Sequence, residues 1–198
     1  MADWDDQEIP LFPLNTVLFP GGLLPLRIFE PRYVDMISAC MKGKGEFGVV
    51  LIREGEETGE APTVHEVGTL ARIIDWEMLE DGLLGISCIG TRRFRVHSSR
   101  VTRSQLTIAR IELIEAPPCL PVPVEYQSLV ELLQRLWEQE GAQLAELPTA
   151  FDNAAWVSAR LFEFLPLPLA EKQQFLAGND PLAALHHLAP LITVSGSA

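Results

Sequence analysis

The chain has 198 residues, of which 47% are hydrophobic and 21% charged, and it carries a formal net charge of -12 with a pI near 4.7. This composition is typical of a globular protein with a sizeable core, and it excludes an intrinsically disordered chain. The acidic balance argues against general, salt-dependent attraction to nucleic acid or anionic lipid, so it favours proteins or small molecules as partners.

The cysteines and the N-terminus indicate the cellular compartment. Cys40, Cys88 and Cys119 are far apart and odd in number, so they cannot all pair within the chain. The N-terminal segment is rich in aspartate and has no basic region followed by an apolar one, as a secretory signal requires. No stretch reaches the roughly 18 consecutive apolar residues that predict a membrane-spanning helix. We therefore expect a reduced, cytoplasmic protein that does not enter a membrane.

The first part of the chain is predicted to be a β-rich domain over residues 1–116. Short segments that are rich in β-branched residues and bounded by glycine predict its strands. They are residues 47–52, 69–76, 83–89, 92–97 and 106–113. One early helix is predicted over residues 30–41, where apolar residues recur at helical spacing before Gly43.

The second part is predicted to be helical. Residues 117–123 form a proline-rich linker, because their four prolines lack backbone donors and disfavour helix. Beyond it, over residues 124–198, apolar residues recur at steps of three and four, which predicts a helical bundle. Its helices are expected over residues 124–140, 149–165, 168–177 and 181–189. Gly141 is expected to stop the first helix and Pro190 the last.

A long segment near the N-terminus carries a family resemblance. The run IPLFPLNTVLFPGGLLPLRIFEPRY at residues 9–33 resembles the opening of the Lon N-terminal domain family. The segments GVVL, VGTLARI and GTRRFRV follow in the order of that family's core strands. In the helical half, LPL at residues 165–167 and EKQQFL at residues 171–176 are similar to the same family. The resemblance extends over about residues 9 to 190.

The resemblance implies an α+β fold, in which a PUA-like pseudo β-barrel with one early helix is followed by a C-terminal helical bundle. In full-length Lon proteases this region precedes an ATPase module and a serine peptidase, and it helps to select damaged or unfolded protein substrates. We expect this chain to be a stand-alone member of the family without those two domains.

The motifs of catalysis are missing from the sequence. The nearest approach to the G-x-x-x-x-G-K-[ST] loop of an ATPase is Gly43-Lys44-Gly45-Glu46, which lacks its spacing and its hydroxyl group. No lysine lies in a recognisable peptidase motif, and no G-x-S-x-G sequence is present. The four histidines have no arrangement that suits zinc. We expect no enzymatic activity, no catalytic residue, no metal and no cofactor.

The apolar loop of residues 18–26 is the first candidate binding site. Its glycines and prolines interrupt a regular strand, so its large side chains are free to form a contact patch for apolar protein segments. The candidate contact residues are Phe19, Leu23, Leu24, Arg27, Phe29, Arg32 and Tyr33. Two structural alternatives are open: the loop folds back to cap the barrel, and Glu30 and Arg32 belong to the cap of the early helix.

A concentration of arginines is the second candidate site. The residues considered for anion or RNA binding are Arg93, Arg95, Arg103 and Arg110. Strand alternation predicts that Arg93, Arg95 and His97 share the solvent face, with Phe94 on the other face. The alternative is a solvated surface paired with acids, either Asp3, Asp5 and Asp6 or those at 54–60.

The leading functional hypothesis is a non-catalytic protein-binding module. It would recognise exposed apolar segments of unfolded or damaged proteins, or act as an accessory factor for a protease or chaperone supplied in trans. A homo-oligomer is left open. The first alternative is a small-molecule sensor or an uncharacterised enzyme that uses the cleft between barrel and bundle. RNA binding through residues 92–110 is less favoured, because stacking aromatics are scarce there.

Overall fold

A computed structural model of the chain describes residues 7–43, 45–140, 144 and 147–193. Within these residues the fold is mixed α+β, with one six-stranded sheet and five α-helices. The chain divides into two compact units, Met1–Glu115 and Ala116–Ala198. The helix stop expected at Gly141 lies outside the described residues.

The first unit contains all six strands. They are β1 (Gln7–Leu14), β2 (Leu23–Ile28), β3 (Phe47–Glu54), β4 (Thr63–Met78), β5 (Leu84–Val101) and β6 (Thr107–Leu113). Helix α1 (Pro31–Gly43) connects β2 to β3. The strand order is β2-β5-β4-β3-β1-β6, and β6 also pairs with β5. Five strands therefore close into a ring, and β2 extends the sheet from β5 outside that ring.

The early helix and most predicted strands are confirmed with shifted ends. The segments 83–89 and 92–97, predicted as two strands, form the single strand β5. Gly90 lies between them and does not turn the chain. Instead, a β-carbon at Gly90 would collide with the carbonyl oxygen of Phe19, so this glycine permits a close approach of two backbones.

Two strands contain prolines. The loop predicted over residues 18–26 is wrong in its second half, because Leu23–Ile28 form β2. Pro25 is tolerated there since β2, among the described residues, is an edge strand that pairs with β5 alone. Strand β1, which the sequence does not predict, contains Pro10 and Pro13. Its first half pairs with β6 and its second half with β3, so each proline faces one strand partner.

The core of the first unit has two clusters. One lies between α1 and the sheet and contains Phe12, which stacks on Tyr33 with ring centroids 4.1 Å apart. The other is drawn entirely from the five ring strands. Its buried members are Ile9, Leu11, Val50, Leu70, Phe94, Ala109 and Ile111. These side chains fill the interior of the ring.

The second unit is helical. After a short 3-10 turn at Val124–Tyr126, its helices are α2 (Gln127–Glu140), α3 (Ala154–Phe164), α4 (Leu169–Ala177) and α5 (Pro181–Thr193). All four correspond to predicted helices, but α5 continues past Pro190, where it was predicted to end. At Pro190 the helix lacks the hydrogen bond that an amide there would donate to the carbonyl of His186. Among the described residues, no helix combines the length and apolar character needed to cross a membrane.

Candidate protein-binding surface

The outer half of β4 is part of a three-stranded extension of the sheet. The pairing of β3 with β4 reaches only as far as Phe47 and Ala71. Beyond that pair, residues 72–78 of β4 have β5 as their strand partner, and β5 pairs with β2 on its other side. Within the part of the chain that the structure describes, the extension therefore has a free edge along β4 and a second free edge along β2.

One face of this extension is apolar, and α1 covers only part of it. Cross-strand pairing places Trp76 and Met78 of β4 in the same rows as Ile86 and Leu84 of β5. Ile86 is 3% exposed and belongs to the same core cluster as the buried face of α1. Trp76 and Met78, at the β4 end of their rows, are 56% and 66% exposed. The apolar face thus continues past the helix into solvent.

A groove runs between the end of α1 and the free edge of β4, and we name it the helix groove. It has a volume of about 320 Å³ and is lined by Cys40, Met41, Gly45, Arg72, Ile73, Ile74, Asp75 and Trp76. A shift in register between Ile73 and Asp75 inserts Ile74 as an additional residue in β4. Ile74 is 48% exposed, and Met41 across the groove is 38% exposed. Exposed apolar side chains grouped in this way are typical of an interaction site.

A second groove, the edge groove, lies against β2, β5 and β4. It has a volume of about 330 Å³ and is lined by Pro25, Leu26, Arg27, Asp75, Trp76, Glu77, Leu79, Gly85, Ile86 and Ser87. A β-carbon at Gly85 would lie 3.0 Å from Cδ2 of Leu79, so the glycine leaves room for Leu79 against the sheet. Arg27 forms an ion pair with Asp81 at the margin of this groove.

The predicted contact residues in and after the 18–26 loop differ in their exposure to solvent. Phe19 is only 5% exposed, so a contact patch formed by this side chain is wrong. The hydroxyl group of Thr69 donates a hydrogen bond to the carbonyl oxygen of Leu18, and the amide of Gly21 donates to Gly90. These bonds fold the first half of the loop back onto the sheet, as the structural alternative predicts.

Arg32 and Tyr33 are also buried, at 6% and 4% exposure, which corrects their prediction as contact residues. Arg32 pairs with Glu30 at 2.9 Å and places its guanidinium group 4.7 Å from the centre of the Tyr33 ring. Burial raises the pKa of Tyr33 to about 12, against a weaker opposing effect of Arg32. Both side chains therefore stabilise the packing of α1.

The other predicted contact residues lie nearer to solvent. Leu23 and Leu24 are half-buried in β2, and Leu24 packs against the core. Phe29, which follows β2, is 58% exposed. Arg27 is exposed and lines the edge groove. Arg27 is thus the predicted contact residue that the structure brings to one of the two grooves.

The exposure predicted for Arg93 from strand alternation is wrong. It was predicted on the solvent face, but it is 5% exposed. After β6 the chain crosses this position: the amide of Ile114 donates to the carbonyl of Arg93, and the Arg93 side chain donates to the carbonyl of Glu115 at 2.8 Å. Burial lowers the pKa of Arg93. Its side chain ties down the chain that leaves β6.

The neighbouring arginines are exposed and lie beside carboxylates. Arg95 pairs with Glu66 at 3.8 Å, and Arg100 pairs with Glu8 at 2.8 Å. The hydrogen bond from Arg100 lowers the pKa of Glu8. Asp3, Asp5 and Asp6, which the sequence offers as partners, lie outside the described residues. The predicted members Arg103 and Arg110 are exposed as well.

The described residues include no group of three or more His, Cys, Asp or Glu side chains that suits a metal ion. His187 contacts Glu171 at 2.7 Å, and Nδ1 of His186 lies 3.3 Å from the hydroxyl group of Tyr126. Cys40 and Cys88 are free and buried, and burial raises the pKa of Cys88 to about 12.

The residues of the helix groove were missed by sequence reasoning. Ile74, Trp76 and Met78 alternate with Asp75 and Glu77, a pattern that predicts a half-buried strand with its apolar side in the core. The alternation is correct for β4 as a strand. The sequence holds no signal that α1 leaves this end of the strand uncovered.

The geometry agrees with a known family of domains. The profile of the family described as "ATP-dependent protease La (LON) substrate-binding domain" matches residues 8–194. Lon protease 2 of Myxococcus xanthus is 30% identical over 195 residues, which cover 94% of this chain and 23% of that protein. The Lon protease of Anaeromyxobacter dehalogenans is 29% identical over 177 residues, which cover 85% of this chain and 21% of that protein. The chain therefore spans less than a quarter of the length of these relatives.

Two solved structures share the fold. A Lon N-terminal domain protein from Xanthomonas campestris is 35% identical, with a TM-score of 0.75 over 93% of this chain and 98% of that one. The N-terminal domain of a Mycobacterium avium complex Lon protease is 18% identical, with a TM-score of 0.58 over 92% of this chain and 96% of that one, and this likeness concerns the fold alone. Because the family profile matches residues 8–194 of this chain, the chain belongs to the family of Lon substrate-binding domains.

Proposed function

We propose that this chain is a non-catalytic module that binds exposed apolar segments of unfolded or damaged proteins, and that it binds them at the helix groove. The observation that carries the proposal is the group of solvent-exposed apolar side chains along one strand edge, Ile74, Trp76 and Met78, beside Met41 of α1. The description of the family as a substrate-binding domain supports the same role.

The physical basis of binding is the burial of apolar surface. Folded proteins keep their large apolar side chains inside, whereas unfolded chains display them without a fixed sequence. Covering an apolar side chain in a groove contributes about 25 cal/mol per Å² of buried area. A groove lined by Met, Ile and Trp suits this role, because methionine adapts its shape to different partners. Such a site selects for exposed apolar surface and tolerates different sequences.

We further propose that the bound segments are passed to a protease or chaperone supplied in trans.

We assign the five-stranded ring to a PUA-like pseudo-barrel and the helices of residues 124–193 to a C-terminal bundle, joined by the linker 117–123. The additional pairing of β5 with β6, which closes the ring, supports the barrel assignment.

The predicted arginine site, formed by Arg93, Arg95, Arg103 and Arg110, is not proposed as a second binding site. Arg93 is buried, and Arg95 and Arg100 each lie beside a carboxylate. An RNA-binding surface requires exposed cations that are available to phosphates. The observed pairing therefore weighs against RNA binding at this surface.

Isothermal titration calorimetry tests the proposal with one substrate in two states. The purified chain is titrated with a small disulfide-bonded protein in its native form, and with the same protein kept unfolded by reduction and carboxamidomethylation. We expect binding to the unfolded form and no measurable heat from the native form. Equal, negligible heats from both forms reject the proposed function.

A pair of variants locates the site. Ile74→Ser removes an apolar side chain that is 48% exposed in the helix groove, and Val101→Ser removes one that is 52% exposed at the far end of β5. We expect the first variant to bind the unfolded protein more weakly and the second to bind it like the parent chain. If both variants bind equally well, the helix groove is not the binding site.

A further inference from the structure

The hairpin that forms the two grooves has an unbalanced charge. From Ile73 to Thr91 the sequence contains four carboxylates and neither lysine nor arginine. These carboxylates are Asp75, Glu77, Glu80 and Asp81. Two of them, Asp75 and Glu77, alternate along β4 with the exposed Trp76 and Met78.

Two of these carboxylates have a defined place on the sheet. Asp75 pairs across β5 with Ser87, and Glu77 pairs with Gly85, so both acidic side chains belong to the same face of β4. Residues two apart on one strand are separated by about 7 Å. Both line the edge groove. The spacing allows one extended cationic side chain to approach both carboxylates.

These two carboxylates are available to a ligand. Arg27, the cation that lines the edge groove, is paired with Asp81. None of the ion pairs formed within the described part of the chain involves Asp75 or Glu77. One oxygen of Asp75 accepts a hydrogen bond from the amide of Trp76 at 2.8 Å, which holds this carboxylate close to the strand edge.

The edge groove and the helix groove meet at the edge of β4. Asp75 and Trp76 line the edge groove and the helix groove alike. Arg72 also lines the helix groove. A ligand in the helix groove therefore meets both the carboxylate of Asp75 and the guanidinium group of Arg72.

We infer that the segments bound by this chain are apolar segments that carry a lysine or arginine next to the apolar anchor. The apolar side chain occupies the helix groove, and the neighbouring cation contacts Asp75 and Glu77. The inference rests on the proposed function and specifies its substrate class. Since the pairs formed are exposed, we expect the cation to increase affinity about three- to tenfold at low salt, and less as salt rises.

Fluorescence anisotropy with three labelled peptides tests the inference. The peptides share a central apolar sequence of leucine and phenylalanine and differ only in their flanking residues, which are lysine, glutamine or glutamate. We expect the lysine peptide to bind most tightly, the glutamine peptide about three- to tenfold more weakly, and the glutamate peptide most weakly.

Two double variants separate the local effect from the overall charge of -12. D75N/E77Q is expected to abolish the advantage of the lysine peptide, so that the lysine and glutamine peptides bind with equal affinity. E56Q/E60Q alters the net charge by the same amount at two exposed acids of another loop, and it is expected to retain the preference.

The outcomes distinguish the two proposals. If all three peptides bind equally, or if D75N/E77Q and E56Q/E60Q reduce the preference equally, the inference is overturned and the proposed function stands. If no peptide binds and unfolded protein does not bind either, both are overturned.

Discussion

The guanidinium group of Arg32 donates a hydrogen bond to the carbonyl oxygen of Gln105 at 2.8 Å. Arg32 belongs to α1, and Gln105 lies in the turn between β5 and β6 with a positive φ of 64°. The same guanidinium group also reaches the carbonyl of Glu57 at 3.4 Å and the carboxylate of Glu30 at 2.9 Å. One buried cation therefore ties α1 to two loops that are distant in sequence.

The first prediction concerns this connection. Arg32→Ala should lower the free energy of unfolding by about 2–4 kcal/mol, because it removes the packing of a buried side chain and leaves its partly buried acceptors without their donor. Arg32→Lys keeps the charge but loses the planar fork of donors, so the free energy of unfolding should fall less than in Arg32→Ala. Urea denaturation measures both. A change in Arg32→Ala below about 0.5 kcal/mol would show that the contacts contribute little.

The second prediction concerns the interior of the ring. A β-carbon at Gly48 would lie 2.6 Å from Cζ of Phe94 and 2.7 Å from Cδ2 of Leu11. Gly48→Ala should therefore destabilise the fold by about 1–3 kcal/mol through overpacking. Gly43→Ala, at the end of α1, has no atom within 4 Å of the new carbon and serves as the control. Thermal denaturation should give a lower Tm for the first variant only.

The third prediction concerns the start of α3. Oδ1 of Asn153 accepts hydrogen bonds from the amides of Ala155 at 2.9 Å and Trp156 at 3.2 Å, which caps the helix. Asn153→Ala should cost about 1 kcal/mol of stability, whereas Asn153→Asp keeps the acceptor and should cost less. Urea denaturation followed by helical circular dichroism compares the two. Equal losses would contradict a capping role.

The fourth prediction concerns alkaline pH. Burial raises the pKa of Tyr33 from 10 to about 12, so the unfolded chain loses this proton at a lower pH than the folded chain. The stabilisation by neutral Tyr33 is complete below pH 10 and is lost as the pH rises to about 12. Its size is on the order of 2–3 kcal/mol.

Tyr33→Phe provides the check on this dependence. The variant retains the aromatic ring that stacks on Phe12 but has no phenolic proton. Its Tm should fall less steeply than that of the parent chain between pH 10 and about 12. Part of the slope should remain, because burial also raises the pKa of Cys88 from 9 to about 12. Identical slopes in the variant and the parent chain would contradict the role of Tyr33.

Local patterns in the sequence predict an element well where the spacing of residues close together in the chain decides its structure. The spacing of Tyr33, Met36 and Ile37 predicts α1, and the steps of three and four after residue 124 predict the helices. Local patterns are less informative for β1 and β2, because both strands contain proline. A proline is acceptable in a strand only where no partner strand needs the amide hydrogen that proline lacks. That condition is set by the pairing partner and cannot be read from the strand itself.

By itself, the sequence determined the family, the α+β character and the change from strands to helices, because these depend on residue type and local spacing. Only the tertiary structure decided which apolar residues remain in solvent. Phe19 is buried because the loop bonds to Gly90 and Thr69, and Trp76 is exposed because α1 covers the neighbouring strands and leaves the β4 edge open. Burial depends on what packs against a residue, and that partner is distant in the chain.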